Sequence, residues 1–352
     1  MTDIAQFLKE IISAPGISGY ESALHPLIEK AWSPVTDKIT YSKLGSLHGL
    51  QRGTGLEPRK SILVAAHLDA IGLMVSAIVD GFLRVTTIGG IDARVLPGQM
   101  VTVHGRKDLP GMLVASPVRL LPSSVQGATI PLEYILVDVG LLPEDVAQLV
   151  RVGDTISFAQ QPVDTAGGTL VGHTLDNRAS VAALTHCLEL LHARPHPWDV
   201  WAVATVQEEV TMGGGLTSAF QLQPSLAVAI DVTFGTSPNV PGHLSFPLGK
   251  GPTLEWGPDI HPFLCKSLKA LAEQLDIPIS LEPTPRHSGT DAYMMQIAGA
   301  GIPTAVIGIP LRYMHTPVEM IALKDIMRAG RLIAEFIAQL GEDFMEKLTW
   351  DD

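Results

Sequence analysis

The chain is short of cysteine, short of positive charge and without a long hydrophobic run, and each shortage removes a class of function. Only Cys187 and Cys265 occur in 352 residues, too few for a disulfide framework or a four-cysteine zinc ribbon. Both fall in apolar helical patterns, where a reduced core thiol is expected. The 24 Lys and Arg against 36 Asp and Glu leave a net charge of −12. With no basic patch for a phosphate backbone, no nucleic acid partner is expected. No segment reaches the roughly 18 uncharged apolar residues of a membrane span. The opening MTDIAQFLKEII has neither the basic start nor the apolar core of a signal peptide. These absences lead to the expectation of a soluble, cytoplasmic protein with no membrane partner.

What the chain does have is 46% hydrophobic residues, enough for a sizeable core, and a length that suits one large domain with a smaller one. Apolar runs at 62–66, 200–206, 226–230 and 303–309 read as strands covered on both faces. A further strand is expected at 277–281. Helical spacing of apolar residues recurs at 3–12, 21–32, 181–191, 261–275, 291–297 and 322–340. Between 72 and 161 the rhythm changes to short, partly alternating strands such as 82–88, 100–104 and 155–158, with one helix at 144–150. The expected fold is α/β: a mostly parallel central sheet flanked by helices, formed by residues 1–71 and 162–352, with a small β-rich domain inserted at 72–161.

Chemistry-bearing residues gather where the apolar strands stop. The first run ends in His67-Leu68-Asp69, the second in Glu208-Glu209 followed by three glycines read as a sharp turn, and the third in Asp231. In open α/β sheets ligands collect beyond the carboxyl ends of the strands. His67 and Asp69 share a face in an extended segment, so one can hold a cation while the other orients it. Asp176 precedes a helix, and His315 follows the last apolar strand. Neighbouring carboxylates on a strand point apart, which disfavours a glycosidase pair. Two imidazoles and four carboxylates (His67, Asp176, Glu208, Glu209, Asp231 and His315) instead suit two divalent ions, Zn²⁺, Co²⁺ or Mn²⁺, with one carboxylate left as a base. The implied reaction is hydrolysis. Asp291 and Arg312 are candidate ligand-orienting or substrate-binding residues.

At these residues the chain resembles the tetrahedral (TET) aminopeptidases, the M42 family of dinuclear metallopeptidases. The matching stretches are AHLDAIGLMV at 65–74, RVLPGQMV at 94–101, LDNRAS at 175–180, QEEVTMGGG at 207–215, AIDVT at 229–233, GTDA at 289–292 and IPLRYMHTPVE at 309–319. Departures from the family pattern fall at Ala70, where Glu is usual, and at His173, where Lys is usual. The resemblance implies that Asp176 bridges two ions, that His67 and Asp231 complete one site, and that Glu209 and His315 complete the other. It implies Glu208 as the proton carrier, Asp69 as the residue that orients His67, and a cis peptide between Asp176 and Asn177. It further implies a zinc-peptidase-like catalytic domain, a PDZ-like insertion used in dimerisation, and dimers that assemble into a dodecamer acting on peptide substrates. The rival expectation is a deacylase of small N-acyl compounds on the same metal centre.

Overall fold

The computed structural model describes residues 2–126, 129–238 and 240–350. An eleven-stranded sheet with helices packed on it makes up the larger part, and a closed six-stranded barrel the smaller. The centre of the sheet follows the apolar runs. Strands Asp199–Thr205, Ser61–His67, Leu226–Phe234 and Thr304–Arg312 lie side by side in parallel, and most of their residues are buried.

Outside this centre the pairing reverses. Leu47–Gln51 and Lys38–Tyr41 extend one flank antiparallel. Glu319–Ala322, Thr169–Gly172 and Val163–Thr165 extend the other in the same manner. Thr253–Trp256 runs antiparallel beside Thr304–Arg312 and carries Ser280–Pro283 in parallel. The sheet is therefore mixed, which corrects the expectation of a mostly parallel one. The flanking strands are short and carry Lys, His, Gly, Gln and Thr, so they lack the apolar continuity that marked the centre. The strand expected at 277–281 lies instead at Ser280–Pro283. The Ile277 N–H is taken by the Ala272 carbonyl at 2.9 Å, and Pro278 has no N–H to offer a ladder.

The helices form where amphipathic spacing meets a suitable end. Ile4–Ser13 is capped by Asp3, whose side chain accepts from the Ala5 and Gln6 amides, and it buries Phe7, Leu8, Ile11 and Ile12. Leu175–His192 packs against Ile4–Ser13, against the closing helix Leu323–Ala338 and against the two central strands Ser61–His67 and Leu226–Phe234. The closing helix comes close because of Gly330: a Cβ there would stand 2.4 Å from the Ala183 carbonyl oxygen. The triple glycine read as a turn opens the helix Gly213–Leu222 instead. That helix packs on Asp291–Gln296, and a Cβ on Gly215 would lie 2.4 Å from the Asp291 carboxylate.

The barrel closes in the order Gly72–Val79, Phe82–Ile88, Ile135–Asp138, Asp108–Ala115, Met100–His104, Thr155–Phe158. It has its own core of Leu73, Val75, Leu83, Val101, Leu113 and Val137, separate from the core of the large sheet. Among the described residues no helix is long and apolar enough to cross a membrane.

One buried cation ties the N-terminal segment to the sheet. The Arg178 guanidinium, fully buried, donates to the carbonyls of Leu68 at 3.0 Å, Ile11 at 2.6 Å, Ala14 at 2.7 Å and Gly16 at 3.2 Å. Burial lowers its pKa to about 9 against the pull of Asp69, Glu319 and Glu21. Replacing it with an apolar side chain would take the guanidinium from all four carbonyls and leave Ile11 and Gly16 only the Ala14 and Ala70 amides, at 3.4 and 3.1 Å. Arg178→Met is expected to cost at least about 3 kcal/mol in urea unfolding, and Arg178→Lys to recover only part, because an ammonium lacks the fork. Unchanged unfolding midpoints in both variants would contradict this role.

Candidate metal centre

The central strands bring the chemistry together at their carboxyl ends. His67 closes its strand. Its Nδ1 faces the Asp69 backbone carbonyl at 3.1 Å. A carbonyl can only accept, so Nδ1 carries the proton and Nε2 presents its lone pair. That Nε2 lies 3.3 Å from Asp176 Oδ1, 3.7 Å from Glu208 Oε2 and 3.8 Å from Asp231 Oδ1. The other Asp176 oxygen, Oδ2, lies 3.3 Å from His315 Nε2, which is also 3.3 Å from Glu209 Oε2. One carboxylate thus has an imidazole on each side. His67, Asp176 and Glu209 offer ligand atoms all within 4.8 Å of one another.

Asp231 sits within its strand rather than at its end, since Leu226–Phe234 continues for three residues beyond it. Glu208 and Glu209 open a one-turn helix, Glu208–Thr211. The Asp69 carboxylate accepts from both of their amides, at 3.0 and 3.1 Å. Asp69 therefore aims the two glutamates as well as standing 3.5 Å from His67 Nδ1. The peptide between Asp176 and Asn177 is cis. Gln207, Thr174 and His315, all beside the centre, have positive φ without being glycine. Each such residue costs on the order of 1–3 kcal/mol and persists where its surroundings impose it.

Glu319 had no role assigned from the sequence. It is buried, and its carboxylate accepts from the Asp176 amide at 3.0 Å and from the His315 amide at 3.3 Å. It holds the shared carboxylate and the outer histidine in one register. Its position four residues after His315, inside a matched motif, was the available signal. The barrel contributes too: Gly90, just past the strand Phe82–Ile88, runs so close to His315 that a Cβ would stand 3.1 Å from Nδ1.

Two sequence candidates lie elsewhere. Asp291 is buried behind the centre, accepting from Thr205 Oγ1 at 2.5 Å, and Arg312 Nε donates to the Thr236 carbonyl at 2.6 Å. Neither is among the residues lining the cavity. Their side chains are engaged in holding the protein's own elements together. His173, one of the two departures from the family pattern, is buried edge-on against Phe158, and burial lowers its pKa to about 3.

The electrostatics call for cations. Asp69, Asp176, Glu208, Glu209, Asp231 and Glu319 crowd around two imidazoles, with the Arg178 guanidinium nearby. Burial would raise the Asp176 carboxyl, but the His315 and His67 rings hold it well below the usual carboxylate range. Burial pushes Glu208 well up, helped by Asp231, Asp291 and Glu209. Burial and Asp176 push Asp231 and Glu319 up in the same way, and take Glu209 to about 8. The hydrogen bond to Asp176 raises His315 to about 9. Glu208 Oε1 is buried without a partner. Such an excess of buried oxygen donors with two imidazoles fits divalent ions of the Zn²⁺, Co²⁺ or Mn²⁺ type. A cavity of about 410 Å³ opens from this cluster.

Known proteins share this sequence pattern and this fold. The family model for M42 glutamyl aminopeptidase matches residues 45–332. A lysyl aminopeptidase of Pyrococcus furiosus is 34% identical, covering 95% of this chain and 97% of its own. A TET aminopeptidase from a marine sediment Thaumarchaeota archaeon superposes with a TM-score of 0.93 at 30% identity, covering 99% of this chain and 100% of its own. The TET1 peptidase of Pyrococcus horikoshii, which can assemble into a tetrahedron or a large octahedral shell, superposes with a TM-score of 0.83 at 28% identity, covering 96% and 100%. The chain belongs to the M42 aminopeptidase family, and it is an aminopeptidase-type enzyme of mixed α/β fold.

Glu319→Ala should weaken metal retention by about 10–100-fold, as loss of a residue that orients ligands does. Chelator competition followed by elemental analysis measures this. Retention equal to the unsubstituted protein would remove Glu319 from the metal centre.

Proposed function

We propose that this protein is a dinuclear metal-dependent aminopeptidase that removes single residues from the N-termini of peptides. The observation that carries the proposal is the Asp176 carboxylate, with one oxygen 3.3 Å from His67 and the other 3.3 Å from His315. His67 and Asp231 would hold one ion, Glu209 and His315 the other, and Asp176 both. When bound, such ions acidify water and polarise a carbonyl.

The chain's own residues account for the rest of the reaction. Glu208 stands 3.7 Å from His67 Nε2 with one oxygen unpartnered, and its burial favours holding a proton. It would take the proton of the attacking water and deliver it to the leaving amine. Asp69 fixes the Glu208 amide and the His67 ring while these protons move. Carboxylates not needed for metal would hold the substrate's α-ammonium, which fixes the scissile bond one residue in. Free-amine peptides, rather than N-acyl compounds, are the proposed substrates.

Residues 1–71 and 162–352 are proposed as a zinc-peptidase-like catalytic domain, and residues 72–161 as a PDZ-like dimerisation domain. The separate barrel core supports that division. The assembly of the Pyrococcus horikoshii relative supports a homo-oligomer, for which a dodecamer built from six dimers is proposed; light scattering should return about twelve chain masses, and a monomer mass would refute it.

Glu208→Gln should keep its metal by elemental analysis while kcat falls about 10²–10⁴-fold, the usual contribution of a positioned proton carrier. Asp176→Ala should lose at least one ion. Full activity in the first variant would remove Glu208 from proton transfer, and full occupancy in the second would sink the bridging role.

A further inference from the structure

The cavity beside the metal centre has an acidic far wall that the proposed chemistry does not use. Glu255 and Glu282 are register partners on the neighbouring strands Thr253–Trp256 and Ser280–Pro283, so their side chains share a face. Both line the cavity together with Val232, Thr233, Phe234 and Met314. The Glu282 oxygens accept from two neutral hydroxyls, Thr233 Oγ1 at 2.6 Å and Thr253 Oγ1 at 2.8 Å. Glu255 is only 8% exposed, and its Oε2 has no hydrogen-bond partner. Two carboxylates side by side in a desolvated wall are costly unless a cation meets them. Burial and Glu282 push the Glu255 carboxyl up to about 7.

Their position relative to the metal centre sets the size of that cation. Asp231 and Thr233 lie two residues apart on one strand, hence on the same face about 6.6 Å apart along it. Thr233 is the residue that holds Glu282. The acids therefore stand about a side chain's length beyond Asp231. The α-ammonium of a substrate stays two bonds from its scissile carbonyl, close to His67 and Glu208, so the far wall would face the tip of the first side chain. Val232, Phe234 and Met314 supply apolar surface along the way, as a methylene stem requires.

We infer that Glu255 and Glu282 form a cation-selective pocket for the side chain of the first residue, so that the enzyme prefers peptides beginning with Lys or Arg. This rests on the aminopeptidase reading and adds the substrate class to it.

The test uses metal-loaded protein with lysyl-, arginyl-, norleucyl- and glutamyl-p-nitroanilide. Norleucine has the lysine stem without its ammonium. The kcat/KM for the lysyl and arginyl substrates should exceed that for the norleucyl and glutamyl ones at least tenfold. In Glu255→Gln the lysyl-to-norleucyl ratio should fall at least tenfold, a ratio that partial misfolding does not move. Preference for norleucyl or glutamyl substrates, or an unchanged ratio in the variant, would overturn the pocket assignment while leaving the aminopeptidase reading intact. Hydrolysis of none of the four would overturn both.

Discussion

The structure depends on a single crowded carboxylate. Asp176 stands between two imidazoles, its amide is held by Glu319, and Asn177 beside it donates to the Ile230 carbonyl at 2.9 Å, one residue before Asp231. Around it the protein buries more acid than its own cations can neutralise. A fold selected for stability alone would replace such a cluster with apolar side chains. Its place toward the carboxyl side of the parallel strands, beneath an open cavity, is what a site built for divalent cations requires. Arg178 and Asp69 complete this frame, the one gathering carbonyls of the N-terminal segment, the other gathering the amides of both glutamates.

Much of this is legible in the sequence, and the physics explains which parts. Strands buried on both faces are continuous apolar runs, so the parallel centre stood out, and the polar residues that interrupt or end those runs stood out with it. The same reasoning misjudged Asp231: a carboxylate inside a buried strand looks like the strand's end. Leu47–Gln51 escaped notice because it reads LHGLQ, yet every residue in it is buried. His48 is accommodated there by a 2.9 Å hydrogen bond to Ser218, a partner 170 positions away that no local pattern reveals. Glycines 213–215 looked like a turn because glycine weakens helices, whereas here the missing side chain admits Asp291.

Residues that act through backbone groups were the least visible. Glu319 and Arg178 touch amides and carbonyls brought together only by the fold, and the motifs that contain them gave neither a role. The Gly90 segment belongs to the barrel yet brushes His315. The inserted barrel therefore shapes the outer side of the centre, where the His315 side chain remains 40% exposed. The change of strand rhythm separates the barrel from the sheet but says nothing of that approach.

The central claim is that metal held around Asp176 turns this fold into an aminopeptidase. Its most direct measurement uses metal-stripped protein, restored with Zn²⁺, Co²⁺ or Mn²⁺, on aminoacyl-p-nitroanilides with free and with N-acetylated amines. The account predicts no turnover without metal and turnover of the free-amine compounds alone when metal returns. Turnover confined to the acetylated compounds would make the centre a deacylase, and full activity without metal would contradict the account at its base.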